Sequence, residues 1–171
     1  MAVLPIRVAG DPILRQKTRR VRTIDASVPK LIDDMIETMR AAPGVGLAGP
    51  QVGSPLRIAV IEVPGQDVIV LINPEVVRRS GERRVEEGCL SVPGYYGEIT
   101  RSQSVTVKAL DRRGKPFRIK AKDDLLAQAL EHETDHLDGL LYIDRMESLD
   151  QLVKVEPEEA AAEPREEKPG L

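Results

Sequence analysis

Few residues in this chain can do chemistry, and they are clustered. His132-Glu133-Thr134-Asp135-His136 holds both histidines of the 171 residues. On a helix, positions i and i+4 share one face a turn apart, so the two imidazoles could grip one metal ion. Glu133 lies between them, where a carboxylate can reach a metal-bound water. The bland reading is a solvated helix face rich in charge, with Glu131, Glu133 and Asp135. Cys89 is the lone cysteine. Alone it reads as a small buried hydrophobe. A helix with two histidines needs a third ligand, however, and thiolate suits a first-row divalent ion. Cys89, His132 and His136 are the whole cysteine and histidine inventory. Three protein ligands and one open position describe a catalytic site, not a closed structural one. Water in the open position would become hydroxide near neutral pH. Glu133 would take its proton and pass it to a leaving group. The developing oxyanion needs donors, for which Gln51 and a backbone N–H beside Cys89 are the candidates. The expected reaction is hydrolysis of an amide, an ester or a related bond. Asp135 reads either as an outer partner of the site, with Arg101 opposite it, or as a surface charge.

These residues must be positioned by the rest of the chain. Asp123 or Asp124 is placed to cap the motif helix, and Gly139 to end it. Leu125, Ala129, His132 and His136 form one stripe, with Leu126, Leu130 and Leu137 on an adjoining core face. Gln51 lies in the stretch 43–53, where four Gly and two Pro exclude a regular helix or a central strand. Its neighbours Gly46 and Gly49 would let a backbone approach a ligand closely. The spacing of Ile24, Val28, Leu31, Ile32, Met35, Ile36 and Met39 predicts a helix over 25–40, capped by Asp25 or Ser27. The β-branched runs 56–63 and 68–72 predict a hairpin, with Asn73-Pro74 ending the second run. The stretch 75–85 reads as extended, with a turn at Ser80-Gly81. Alternation over 103–109 and 115–121, around Asp111-Arg112-Arg113-Gly114, predicts a second hairpin. A short strand is expected at 140–143. Residues 1–22 read as an extended arm with a helical turn near 12–16 and a basic cluster of Arg15, Lys17, Arg19, Arg20 and Arg22.

Composition narrows the functional classes. The length suits one domain, and 41% hydrophobic with 31% charged residues describes an ordinary globular chain. One Phe, three Tyr and no Trp argue against a base-stacking platform. A net charge of −3 gives no overall basic footprint, so no direct nucleic-acid site is expected. One cysteine permits no intrachain disulfide, and no apolar run approaches a membrane span. The cytoplasm is the expected compartment. We assign residues 1–150 to a catalytic domain and 151–171 to an acidic, flexible tail; from 153 onward this tail holds six Glu, three basic residues and three Pro.

Three segments, Gly44-Val45-Gly46-Leu47-Ala48-Gly49-Pro50-Gln51, Glu87-Gly88-Cys89-Leu90-Ser91 and His132-Glu133-Thr134-Asp135-His136-Leu137-Asp138-Gly139, together resemble the three motifs of the peptide deformylase family, in order and in spacing. The resemblance runs from the arm to about Met146. It implies an α+β fold of a single domain, with strands in antiparallel or mixed sheets around a central metal-bearing helix. It implies removal of the formyl group from the N-terminal formylmethionine of nascent polypeptides, with release of formate. Cys89, His132 and His136 would hold the metal, commonly ferrous iron, with zinc, nickel or cobalt accepted. Glu133 would be the general base and acid, and Gln51 and the Leu90 N–H the oxyanion donors. The methionine pocket would be drawn from Val45, Val85, Glu87, Leu125, Gln128, Ala129 and His132. Backbone at Val45, Gly46 and Gly88 would hold the peptide extended. Transient contact with the ribosome goes with such a substrate. Three positions depart from the family pattern: Gly49, where a small Ala is usual; Gln128, at a place often apolar; and Tyr96, near a basic residue of some members.

Two other readings of the residues stand beside this one. A zinc endopeptidase would share His132 to His136 but takes its third ligand downstream, where no histidine follows. A non-catalytic metal- or peptide-binding protein would need neither Glu133 nor Gln51.

Overall fold

The computed structural model describes residues 1–155. In chain order its elements are α1 (Ser27–Ala41), β1 (Gly46–Ala48), β2 (Ile58–Ile61), β3 (Ile69–Ser80), β4 (Arg83–Cys89), β5 (Val92–Arg101), β6 (Ser104–Leu110), β7 (Pro116–Lys122), α2 (Leu125–Leu137) and β8 (Val153–Lys154). The fold is α+β. One antiparallel sheet runs β1-β2-β3-β6-β7 and a smaller one β4-β5-β8.

β2 shows why the layers form. Its four apolar residues do not alternate with polar ones, and all four are buried. Such a run suits a strand covered on both faces. Ile58 and Val60 pack with Ile32, Met35 and Met39 of α1. Ala59 and Ile61 point the other way, into a cluster with Ala127, Ala129 and Leu130 of α2. The larger sheet is therefore sandwiched by the two helices at its β1–β2 end. A third cluster, with Cys89, Val92, Ile99, Leu141 and Tyr142, joins the smaller sheet to the segment after α2.

The arm laces the motif segments together. Arg7 N–H donates to Gln51 O, Ala9 N–H to Ser91 O, and Thr18 N–H to Leu137 O. Its helical turn is a 3-10 turn at Pro12–Arg15, capped by Asp11.

Local expectations fail at Asn73-Pro74 and at 140–143, and two other segments hold more structure than foreseen. Asn73-Pro74 does not end a strand: β3 continues through a bulge to Ser80. Asn73 takes a positive φ of 53°, which asparagine tolerates. Its side chain pairs with both backbone groups of Val21, and Arg57 Nε donates to Pro74 O. The missing ladder bonds are thereby replaced by tertiary ones. The glycine-rich stretch contains the short edge strand β1 and a 3-10 turn, Gly49–Val52. Residues 140–143 are not a strand; Tyr142–Arg145 forms a 3-10 turn, closed by Asp144, whose carboxylate accepts from Leu141 N–H. Pairing also runs past 150: Val153 and Lys154 pair with Tyr96 and Tyr95, and Val155 N–H donates to Gly94 O. The rest of the expected tail lies outside the described residues. Among those described, no helix is long and apolar enough to cross a membrane.

Candidate metal centre

α2 carries the site because its sequence makes a well-ended helix. Asp124 accepts from Ala127 N–H at 2.8 Å, an N-cap bond. Gly139 leaves the helix at φ 80°, where a Cβ would stand 2.7 Å from Arg15 O. Every residue from Leu126 to Leu137 is buried. This excludes the solvated-face reading of the motif.

Cys89 ends β4, and Leu90-Ser91 form the tight turn into β5, with Cys89 paired to Val92. That turn delivers the sulfur to α2. Cys89 Sγ lies 3.2 Å from His136 Nε2, which lies 3.0 Å from His132 Nε2. The three ligand atoms fall within 4.8 Å of one another. A tetrahedral ion with bonds of about 2.0–2.3 Å would set its ligands about 3.3–3.6 Å apart, so the donor set fits such an ion. Among the described residues no other cluster of this kind is found.

Protonation supports the same fit. Burial disfavours charge on His132, but Glu87, then Glu133, outweigh it and hold the imidazole well above its ordinary value. Burial and then His132 push His136 well below it. Without an ion, the contact between the two Nε2 atoms requires a proton on one of them. An ion would replace that proton and use both lone pairs. His132 Nδ1 lies 2.6 Å from Glu87, which can accept its N–H and so aim Nε2 at the ion. His136 Nδ1 is buried with no partner among the described residues.

Behind His132 stands a buried ionic chain. Arg101 donates to both oxygens of Glu87 and to Asp135 at 2.6–3.0 Å, and Arg145 adds two bonds to Asp135. Burial works against charge at Glu87, yet His132 and Arg101 hold its carboxyl down to about 2. Asp135 pairs with Arg101 and is buried, which decides between the two readings the sequence left open. Glu87, expected on the pocket wall, turns its carboxylate to His132 and Arg101. Its spacing gave no sign of this, because the contact joins residues 45 apart.

Glu133 is fully buried, and both its oxygens lack a partner among the described residues. Burial pushes its carboxyl up to about 7. Gly46 makes room for it: a Cβ there would stand 2.3 Å from Glu133 Oε2. Gln51 is fixed as well. Its Oε1 accepts from Ala48 N–H at 3.0 Å, so its amide nitrogen faces Ser91 Oγ at 3.1 Å and Cys89 Sγ at 3.8 Å. Ser91 was not anticipated; the only signal was a hydroxyl two residues past the cysteine. Gly49 has its own reason, since a Cβ there would meet Leu56 O at 2.6 Å.

The remaining candidates lie around this centre. Val45 is buried just before β1, and Val85 and Gly88 lie on β4. Leu125, Gln128 and Ala129 occupy the first half of α2. Gln128 Nε2 donates to Glu86 O and to Glu87 Oε1, which fixes its amide toward β4. Tyr96 sits on β5 opposite Gly88. Tyr142, also unforeseen, is buried beside His132, with ring centroids 6.4 Å apart.

Comparison with known proteins agrees with this geometry. The family described as polypeptide deformylase matches residues 3–152. A peptide deformylase of Dehalococcoides mccartyi strain CBDB1 is 54% identical, over 95% of this chain and 98% of its own. One from Thermomicrobium roseum is 48% identical, over 93% and 94%. Among solved structures, a peptide deformylase from Legionella pneumophila has a TM-score of 0.84 at 47% identity, covering 88% of this chain and 89% of its own. One from Ehrlichia chaffeensis in complex with actinonin has a TM-score of 0.85 at 39% identity, covering 88% and 92%.

Proposed function

The chain belongs to the polypeptide deformylase family, and from that premise we propose how its own residues remove the formyl group from the N-terminal formylmethionine of nascent polypeptides. Cys89, His132 and His136 would hold one divalent ion, ferrous iron by resemblance, although zinc, nickel and cobalt suit the same donors. When bound, the ion supplies a Lewis acid that makes water acidic near neutral pH.

Glu133 takes the proton of the attacking water and returns it to the departing amine. A carboxyl pushed up to about 7 is matched to both tasks at neutral pH. Gln51 Nε2 and the Leu90 N–H donate to the formyl oxygen as charge develops on it. Ala48 and Ser91 hold the Gln51 amide beside the Cys89 sulfur. Glu87, fixed by Arg101, keeps the His132 ring aimed. Val45, Val85, Leu125, Gln128 and Ala129 form the methionine pocket beside it. Backbone at Val45, Gly46 and Gly88 holds the peptide as an extended strand. The products are formate and a free amine. We assign this work to the cytoplasm, in transient contact with the ribosome.

One observation carries the reading: a buried carboxylate, unpartnered among the described residues, lies between two histidines whose ring nitrogens converge with a cysteine sulfur. Metal analysis coupled to formate release from formyl-Met-Ala-Ser tests it. Metal-loaded protein should release formate. Cleavage of unformylated internal peptides without formate release would overturn it.

A further inference from the structure

The two faces of the larger sheet are treated differently at its β3–β6–β7 end. One face packs on α2 through Val105, Val107 and Ala121. The opposite face is covered by α1 only as far as the row Ile72–Leu110. Beyond that row, paired residues share the uncovered face, because directly opposed residues of an antiparallel pair point the same way.

The register then fixes what this face displays. The first row is Glu75–Lys108–Arg118, the second Arg78–Thr106–Lys120, and the third Ser80–Ser104–Lys122. Five cations thus face one carboxylate. Lys108 makes a 3.5 Å pair with Glu75, both about half exposed. Among the described residues, Arg78, Arg118, Lys120 and Lys122 have no ion-pair partner. Arg118 stands directly across from Lys108, a like-charge pairing that is unfavourable in isolation. A chain of net charge −3 therefore concentrates positive charge on one flat surface. The whole-chain charge conceals this.

We propose that this uncovered half-face binds RNA through its phosphate backbone. The hydroxyls of Ser80, Ser104 and Thr106 lie among the cations, where they can donate to phosphate oxygens. The rows contain no aromatic residue, so the surface is no stacking platform for single strands; it suits the shape of a helical backbone. The choice of RNA rests in part on the function above, because an enzyme of nascent chains works beside ribosomal RNA. The face lies across the sheet from α2, so its role is separable from catalysis.

The test uses the full chain and a fluorescein-labelled 16-base-pair RNA hairpin, read by anisotropy. Binding is expected at 50 mM salt and should weaken about a hundredfold by 200 mM, as four phosphate contacts imply. Arg118→Glu/Lys120→Glu/Lys122→Glu should lose binding at 50 mM while deforming no catalytic step: formate release from formyl-Met-Ala-Ser stays at the wild-type rate. That control also reports folding and separates this proposal from the catalytic one. Wild-type affinity in the triple variant, or no binding by the wild type, overturns the proposal. So does binding that emerges only when the six Glu of 156–171 are changed to Gln, which assigns the face to the chain's own acidic segment.

Discussion

The two sides of the centre are built from different materials. Behind His132, Glu87, Arg101 and Asp135 form a closed ionic chain, each member at most 4% exposed. On the side of Gln51, the groups are neutral: an amide, a hydroxyl and backbone N–H groups. The charged side satisfies its members and gives the metal ligands a fixed aim. The neutral side leaves Glu133 without a partner, so the one carboxylate asked to move protons is held at a high pKa by burial. Damage to the first side should therefore appear as lost stability and metal affinity, and damage to the second as lost turnover.

The largest effect should come from Glu133→Ala. General acid–base groups contribute about 10²–10⁴ in rate, so kcat should fall by that factor. Metal content, measured on the same sample, should stay at that of the wild type. A variant that releases formate at the wild-type rate would remove Glu133 from the mechanism.

Arg101→Leu probes the opposite side. It removes the cation that Glu87 and Asp135 share, leaving only His132 beside the first and Arg145 beside the second. Removing one member of a buried ionic set costs about 3–5 kcal/mol. Urea unfolding should show that loss, together with weaker metal retention as His132 loses its orientation. Unchanged stability would mean that the chain of charges is incidental.

The contrast between the sides also explains what the sequence disclosed. The His132–His136 spacing, the Asp124 cap, the Gly139 stop and the hairpin at 111–114 are local features, written within a few residues. Asp135 opposite Arg101 was open to inference because both are charged and one lies in the motif. The hold of Glu87 on His132 was not legible, since nothing near Glu87 points to a histidine 45 positions away. Asn73 misled for a related reason: Asn-Pro favours a turn locally, and only the arm's Val21 and Arg57 show why the strand continues. Local chemistry was readable; the contacts that aim it were not.

Gln51→Leu should fall next in size. Loss of one oxyanion donor costs about 10²–10³ in kcat, or about 3–4 kcal/mol. The effect should appear in kcat more than in KM, with metal content unchanged. Loss of metal together with activity would instead assign Gln51 to supporting Cys89, which lies 3.8 Å from its amide nitrogen.

The smallest effect concerns stability and pH in the metal-free protein. Glu133 titrates near 7 when folded, against 4.5 for an ordinary glutamate. Its folded value is raised, so the folded state holds a proton that the unfolded state has already released between those two values. The stability tied to that proton is present in full below about pH 4.5 and is lost as pH rises through 7. At 1.36 kcal/mol per unit, the loss is about 3 kcal/mol. Glu133→Gln cannot lose this proton. Urea unfolding of the two metal-free proteins should therefore show the Gln variant gaining on the wild type by about 3 kcal/mol between pH 4.5 and pH 8. Glu133 also helps to hold the His132 imidazole up, so the difference reports the proton of Glu133 together with its coupling to His132. A gap that does not change with pH would mean that Glu133 ionises in the folded state at its ordinary value. The neutral side would then be less sealed from water than its burial implies.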